Sequence, residues 1–187
     1  MRQVKGVLFL DYVRMLKAHK AADWIKELPP SDLPYLDKQI DTAGWYPMDT
    51  FERMGNAILR FVTAGELLPV RLWGRLSAAQ MRAVNPTLLA PGDPVETLHR
   101  FKVMRATFFD FAALEILMLQ AGEAQIDIRY HMGMPAEEAA ATQTMGFFEG
   151  LLELAGAKYI ESTFREKSWE NKERTVLAIR WTDPPLV

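Results

Sequence analysis

The sequence predicts an α+β fold: an N-terminal helical region followed by a β-β-α-β-β unit carrying a four-stranded, mostly antiparallel sheet. Three observations predict it. Up to about residue 108 the apolar residues recur at helical spacing. Beyond that point "FAALEILMLQ", "QIDIRYHM", "AKYIESTFRE" and "RTVLAIRW" read as short strands. One long helical segment, "PAEEAAATQTMGFFEGLLELAG", divides those strands into two pairs, and runs of helices followed by strands mark the α+β class. At 187 residues and 49% hydrophobic, the chain suits one domain with a sizeable core, helical over about 1–108 and sheet-forming over about 109–182.

Taken in order, Val7, Leu8, Leu10, Val13, Leu16, Trp24 and Ile25 predict one or two helices between Val4 and Leu28. "PPSDLP" stops them. Ser31 or Asp32 can cap a helix from Leu33 to Gly44, with Leu36 and Ile40 on one face. Tyr46 precedes a proline and reads as extended. Asp49 or Thr50 can cap a helix carrying Phe51, Met54, Ile58, Phe61 and Val62, which Gly65 ends. Val70 to Arg82 is a further helix, "NPTLLAPGDP" a loop, and Val95 to Thr107 another helix. "AGEA" is the turn of a hairpin. Pro135 opens the long helix, Glu137 and Glu138 suit its positive end, and Gly156 closes it. "KSWENK" turns between the last two strands, with Trp169 an aromatic at its tip, and "TDPPLV" is a tail.

Composition excludes several classes. No cysteine is present, which removes disulfide scaffolds, thiolate zinc sites and cysteine nucleophiles. The net charge is −2 with no basic face, so nucleic acid is not an expected partner. The apolar run near the N-terminus is interrupted by Asp11 and Arg14, and no run is long enough to span a membrane. A cytoplasmic location is the simplest expectation. There is no glycine-rich phosphate loop and no nucleophile-elbow serine, so no catalytic residue is assigned and an enzyme is not expected.

The three histidines, His19, His99 and His131, form no pair at metal-binding spacing, so no metal site is expected. His19 lies in a polar stretch. His131 falls on the polar side of its strand with Gln125, Asp127 and Arg129, while Ile126, Ile128, Tyr130 and Met132 form the inward side. His99, between Leu98 and Phe101, borders an apolar helical stripe, where a structural role competes with a ligand's. Gly146 and Gly150 share one helix face; close packing there offsets the cost of about 1 kcal/mol for a helical glycine.

The order of elements resembles the superfamily that unites heme-nitric-oxide-binding (H-NOX) domains, 4-vinyl-reductase-like (V4R) ligand-binding domains and the core subunits of the TRAPP vesicle-tethering complex. It is nearest to a bacterial heme-NO-binding-like family. "VKGVLF", "GWYP", "QIDIRYHM", "GFFEGLLELAGAKYIE" and the closing "IRW" carry the resemblance, over nearly the whole chain. It implies a heme alternative: His99 falls on the helix of the family's proximal ligand, and Tyr130 on the tyrosine of its Tyr-x-Ser-x-Arg propionate motif. Met132 and Met134 stand where Ser and Arg would follow, and methionine offers a propionate neither donor nor charge. The lead expectation is therefore a non-catalytic regulatory domain without heme, for ligand sensing or protein interaction. A pocket for an apolar small molecule is expected among Ile128, Tyr130, Met132, Phe147, Phe148 and Leu151. These same side chains filling the core completely is the competing expectation. Further alternatives are a heme-based gas sensor with His99 as axial ligand, and a pure interaction subunit, with an unknown protein partner or a second copy as a homodimer.

Overall fold

The computed structural model describes residues 2–183. The chain opens with a strand, β1 (Gln3–Lys5), not with a helix. β1 pairs antiparallel with β2 (Trp45–Pro47), and Val4 also bridges to Phe109, so its backbone groups are satisfied by partners distant in sequence. Tyr46 is extended, as its proline neighbour predicts. Gly6 follows immediately: a Cβ there would lie 2.0 Å from the carbonyl oxygen of Asp41, so only glycine lets the chain enter α1 (Gly6–Ala18) at this point. Phe9, Tyr12, Val13 and Leu16 form the buried face of α1.

Two predicted helices shrink. The segment to Leu28 contributes only α2 (Trp24–Glu27), and Leu33–Gly44 only α3 (Pro34–Asp37). Asp32 does not cap α3; its fully buried carboxylate instead accepts from Arg53 (2.6 and 2.8 Å) and from Thr50 Oγ1 (3.0 Å). A tertiary ion pair thus outweighs the local cap. Arg53 and Thr50 lie on α4 (Met48–Ala57), which continues as one π-helical turn over Ile58–Val62 and ends at Gly65, whose φ is +84°. α5 (Leu67–Val84) follows. α6 (Pro94–Met104) is capped by Asp93, whose carboxylate accepts from the Glu96 N–H at 2.8 Å.

The sheet is antiparallel throughout, in the order β3 (Leu114–Gln120), β4 (Glu123–Ile128), β6 (Thr175–Thr182), β5 (Lys158–Glu166). α7 (Ala136–Leu154) crosses between the two hairpins. It is buried on nearly all sides, between the sheet and α5. Phe148, Leu151 and Leu152 go to the core, while Gly146 and Gly150 meet α5. An ideal Cβ on Gly146 would lie 1.9 Å from the Arg71 carbonyl oxygen, and one on Gly74 of α5 would lie 2.0 Å from that of Gln143. The glycines therefore serve a helix–helix contact. Trp169 is half-buried, edge-on to Phe164 at 5.3 Å. Residues 184–187 of the expected tail lie outside the described residues. Among the described residues no helix is long and apolar enough to cross a membrane.

Candidate functional site

β4 ends at Ile128, short of the strand to Met132 that alternation predicts. The Arg129 N–H still bonds to Ala113 O, but His131 adopts a left-handed conformation (φ +55°) and the chain leaves the sheet. Tyr130 is buried as expected, but Asp127, expected on the outward side, is only 3% exposed: Arg129 and Arg174 cover its carboxylate, so Ile126, Asp127 and Ile128 are buried in succession. His131 is exposed, Met132 half-buried, and Arg129 half-buried against Asp127 at 2.8 Å. The loop that follows is held by its backbone. Met132 N–H donates to Glu137 (2.7 Å), Gly133 N–H donates to Glu52 (2.8 Å), and the Arg2 guanidinium donates to the carbonyls of Tyr130 and His131.

Tyr130 lines one wall of a partly open cavity of about 90 Å³ among α1, α4, α5, α6 and α7. α1 contributes Leu8, Asp11 and Tyr12; α5 contributes Ser77 and Met81; α7 contributes Ala140, Gln143, Thr144 and Phe147. The remaining wall is Leu114 of β3 and four aromatic rings, Phe51, Phe101, Phe108 and Phe109. These rings pack on one another: Tyr12 stacks on Phe51 at 3.9 Å, and Phe101 meets Phe147 at 5.6 Å. Both tyrosine hydroxyls are already used. Tyr12 Oη donates to Gln143 Oε1 (2.7 Å). Thr144 Oγ1 donates its proton to Ala140 O (2.9 Å), so Tyr130 Oη is the donor in its 2.6 Å bond to Thr144. Burial, foremost, pushes both phenols well above the ordinary tyrosine range, so they stay neutral. The formal charge on the lining is Asp11. Burial raises its carboxyl above the ordinary value, and Arg14, 3.8 Å away, only partly opposes this. The arrangement can hold a small apolar body, and its one charged group repels anions.

Of the residues singled out from the sequence, Tyr130 and Phe147 line this cavity. Met132 borders a neighbouring cleft of about 10 Å³. Ile128, Phe148 and Leu151 are fully buried and do not line the cavity. His99 is exposed: α6 turns Pro94, Thr97, Leu98 and Phe101 inward, and His99, one residue after Leu98, is rotated away from them. Where the heme alternative needs an axial ligand facing the pocket, Phe101 stands instead. Among the described residues no group of three or more His, Asp or Glu forms a metal site. Sequence reasoning missed Tyr12, Phe51, Phe101, Phe108 and Phe109. The i, i+4 spacing of Leu8 and Tyr12 marks one face of α1, but not that this face meets a void.

No protein-family model and no curated protein matches the sequence. Solved structures do. The chain is similar to a mutant H-NOX protein of T. tengcongensis, at 14% identity and a TM-score of 0.65, over 97% of this chain and 100% of that one. It is similar to a mutant of the H-NOX protein of K. algicida solved in the Fe(II) unliganded state, at 13% identity and a TM-score of 0.68, over 97% and 98% of the two chains. It is also similar to an H-NOX protein of S. oneidensis in the Fe(II)NO state, at 11% identity and a TM-score of 0.63, over 96% and 99%. At such identities the likeness speaks of the backbone alone, and it runs through both the helical and the sheet parts. The chain has the H-NOX fold.

Proposed function

We propose that this chain is a non-catalytic sensing domain that uses the H-NOX fold to hold a small apolar molecule, without heme, and passes occupancy on to a protein partner. The observation that carries this reading is the aromatic cavity, with its polar groups paired and an anion on its lining. Three features argue against heme. His99 faces solvent. The cavity, about 90 Å³, is below the ~300–1,000 Å³ of pockets that enclose drug-sized ligands. Finally, the loop at the propionate-motif position already carries two carboxylates on its backbone N–H groups, Glu52 and Glu137. A propionate there would meet these like charges, and the Arg2 guanidinium at the same loop is already engaged by the carbonyls of Tyr130 and His131. The residues present do not fit the group.

The second reading, a heme-based gas sensor, is favoured by the shared fold with proteins solved as an Fe(II)NO state and as an oxygen complex. Hemin titration separates the two. Non-saturating absorbance, unchanged in His99→Ala, is expected. A saturable one-to-one Soret spectrum lost in His99→Ala establishes the gas sensor instead. The cavity itself is tested with xenon, which enters dry apolar cavities. Under xenon pressure, NMR shifts should concentrate at Phe101, Phe109, Tyr130 and Phe147. Uniform small shifts would remove the binding site from the proposal.

A further inference from the structure

The outer face of α5 is apolar and exposed. Pro69, Leu72, Leu76, Ala79 and Ala83 recur at alternating steps of three and four residues, the spacing of a coiled-coil seam, and all five are exposed. Leu72 and Leu76 are 50% and 66% exposed, and Leu68 beside them 64%. A single exposed leucine is ordinary; three on one helix face, with no charge among the seam positions, form a patch. We infer that this seam is the contact surface of a homodimer, in which α5 packs antiparallel against α5 of a second copy about a two-fold axis between Leu76 and Ala79.

The order of sizes along the seam identifies the occupant. Two leucines are followed by two alanines. A two-fold axis at that point sets Leu76 against Ala79 of the second copy and Leu72 against Ala83, so every layer pairs a large side chain with a small one. The seam is complementary to itself in reverse, which is the requirement of an isologous contact. Charge agrees. α7 borders the seam through Gly150, Glu153 and Leu154. Glu153 pairs with Arg75 but keeps its side chain 52% exposed. In the antiparallel arrangement Arg82 of the second copy comes to this border, where Glu153 is a carboxylate for it. With that axis, residues 71–84 of the two α5 helices lie side by side, about 21 Å at 1.5 Å per residue, and a strip of that length buries on the order of 800 Å² in total, in the range of weak interfaces. The dimer is therefore weak, with a dissociation constant on the order of 1–100 µM.

Sedimentation velocity of the whole chain, from about 1 to about 500 µM, tests it. A concentration-dependent monomer–dimer equilibrium is expected. Leu76→Lys should raise the dissociation constant at least about tenfold with an unchanged melting temperature, because the position is exposed in the monomer. Leu76→Ala and Ala79→Leu should each weaken the dimer, and the double variant, which restores one large and one small side chain per layer, should recover it. A monomer at every concentration, or a dimer indifferent to Leu76→Lys, overturns the inference. A double variant as weak as the single ones overturns the two-fold register.

Discussion

Gly146 offers the most direct test of the packing that builds the site. In Gly146→Ala the new Cβ would lie 1.9 Å from the Arg71 carbonyl oxygen, where ordinary contact begins near 3.4 Å. The obstacle is backbone, so no side chain can rotate away, and α5 and α7 must separate by roughly 1.5 Å locally. Overpacking of this kind costs about 1–3 kcal/mol. Alanine returns about 1 kcal/mol of helix propensity. Because a backbone oxygen cannot yield, the cost belongs at the top of its range, and the net loss is about 2 kcal/mol. For a chain of this size that lowers the melting temperature by about 4–8 °C. Gly55→Ala is the comparison: its Cβ would meet the ring edge of Tyr12 at 3.2 Å, a contact that a small ring movement relieves. With the same helix propensity returned, it should leave stability unchanged or raise it by up to about 1 kcal/mol. Chemical denaturation and thermal melting of the two variants read the difference. A Gly146→Ala protein as stable as the parent would show that the helices are not this close, and the cavity wall that α7 supplies would have to be redrawn.

Other perturbations follow from the same geometry. Burial raises the Asp32 carboxyl, but donation from Arg53 and Thr50 outweighs it and holds the group below the ordinary 3.8. Its stabilising contribution is therefore present above that value and lost as pH falls through the lower folded one. Asp32→Asn should cost about 1.5–3 kcal/mol at neutral pH, and the gap from the parent should narrow in denaturation curves taken progressively below pH 3.8; a gap that is constant with pH would refute the ionised pairing. Phe147→Ala should cost less than the about 3–5 kcal/mol of a fully buried phenylalanine, because Phe147 is only half-buried. It should also admit benzene, detected by NMR, and failure to admit it would mean that the enlarged space collapses. Glu52→Gln should speed amide exchange at Gly133, whose N–H it accepts, with little change at core amides.

Much of the fold was legible in the sequence, because hydrophobic period records which faces are buried whatever they are buried against. The period of two in "QIDIRY" and the helical period of "GFFEGLLEL" survive as β4 and α7. Gly65 and Gly156 end helical segments as expected, both at positive φ, where glycine has no steric penalty. Two of the misreadings share a cause. "QVK" is a strand because β2 and Phe109 lie beside it, and Asp32 leaves a helix cap because Arg53 reaches it. In each case a partner distant in sequence outweighs a local preference worth only about 1 kcal/mol.

The site divides in the same way. The sequence alone places Tyr130 inward and His131 outward and leaves Met132 and Met134 unable to anchor a propionate, since strand alternation and side-chain chemistry are local properties. It also sets Gly146 and Gly150 on one face. Packing between elements sets the rest: α5 fills the space above those glycines, α6 turns Phe101 rather than His99 toward the pocket, and the void lies between Tyr12, Phe101 and Tyr130 and is not lined by Phe148 or Leu151. A void is what remains where six elements fail to fill the space between them. It depends on their mutual distances and tilts to within an ångström, and no pattern within one element records that.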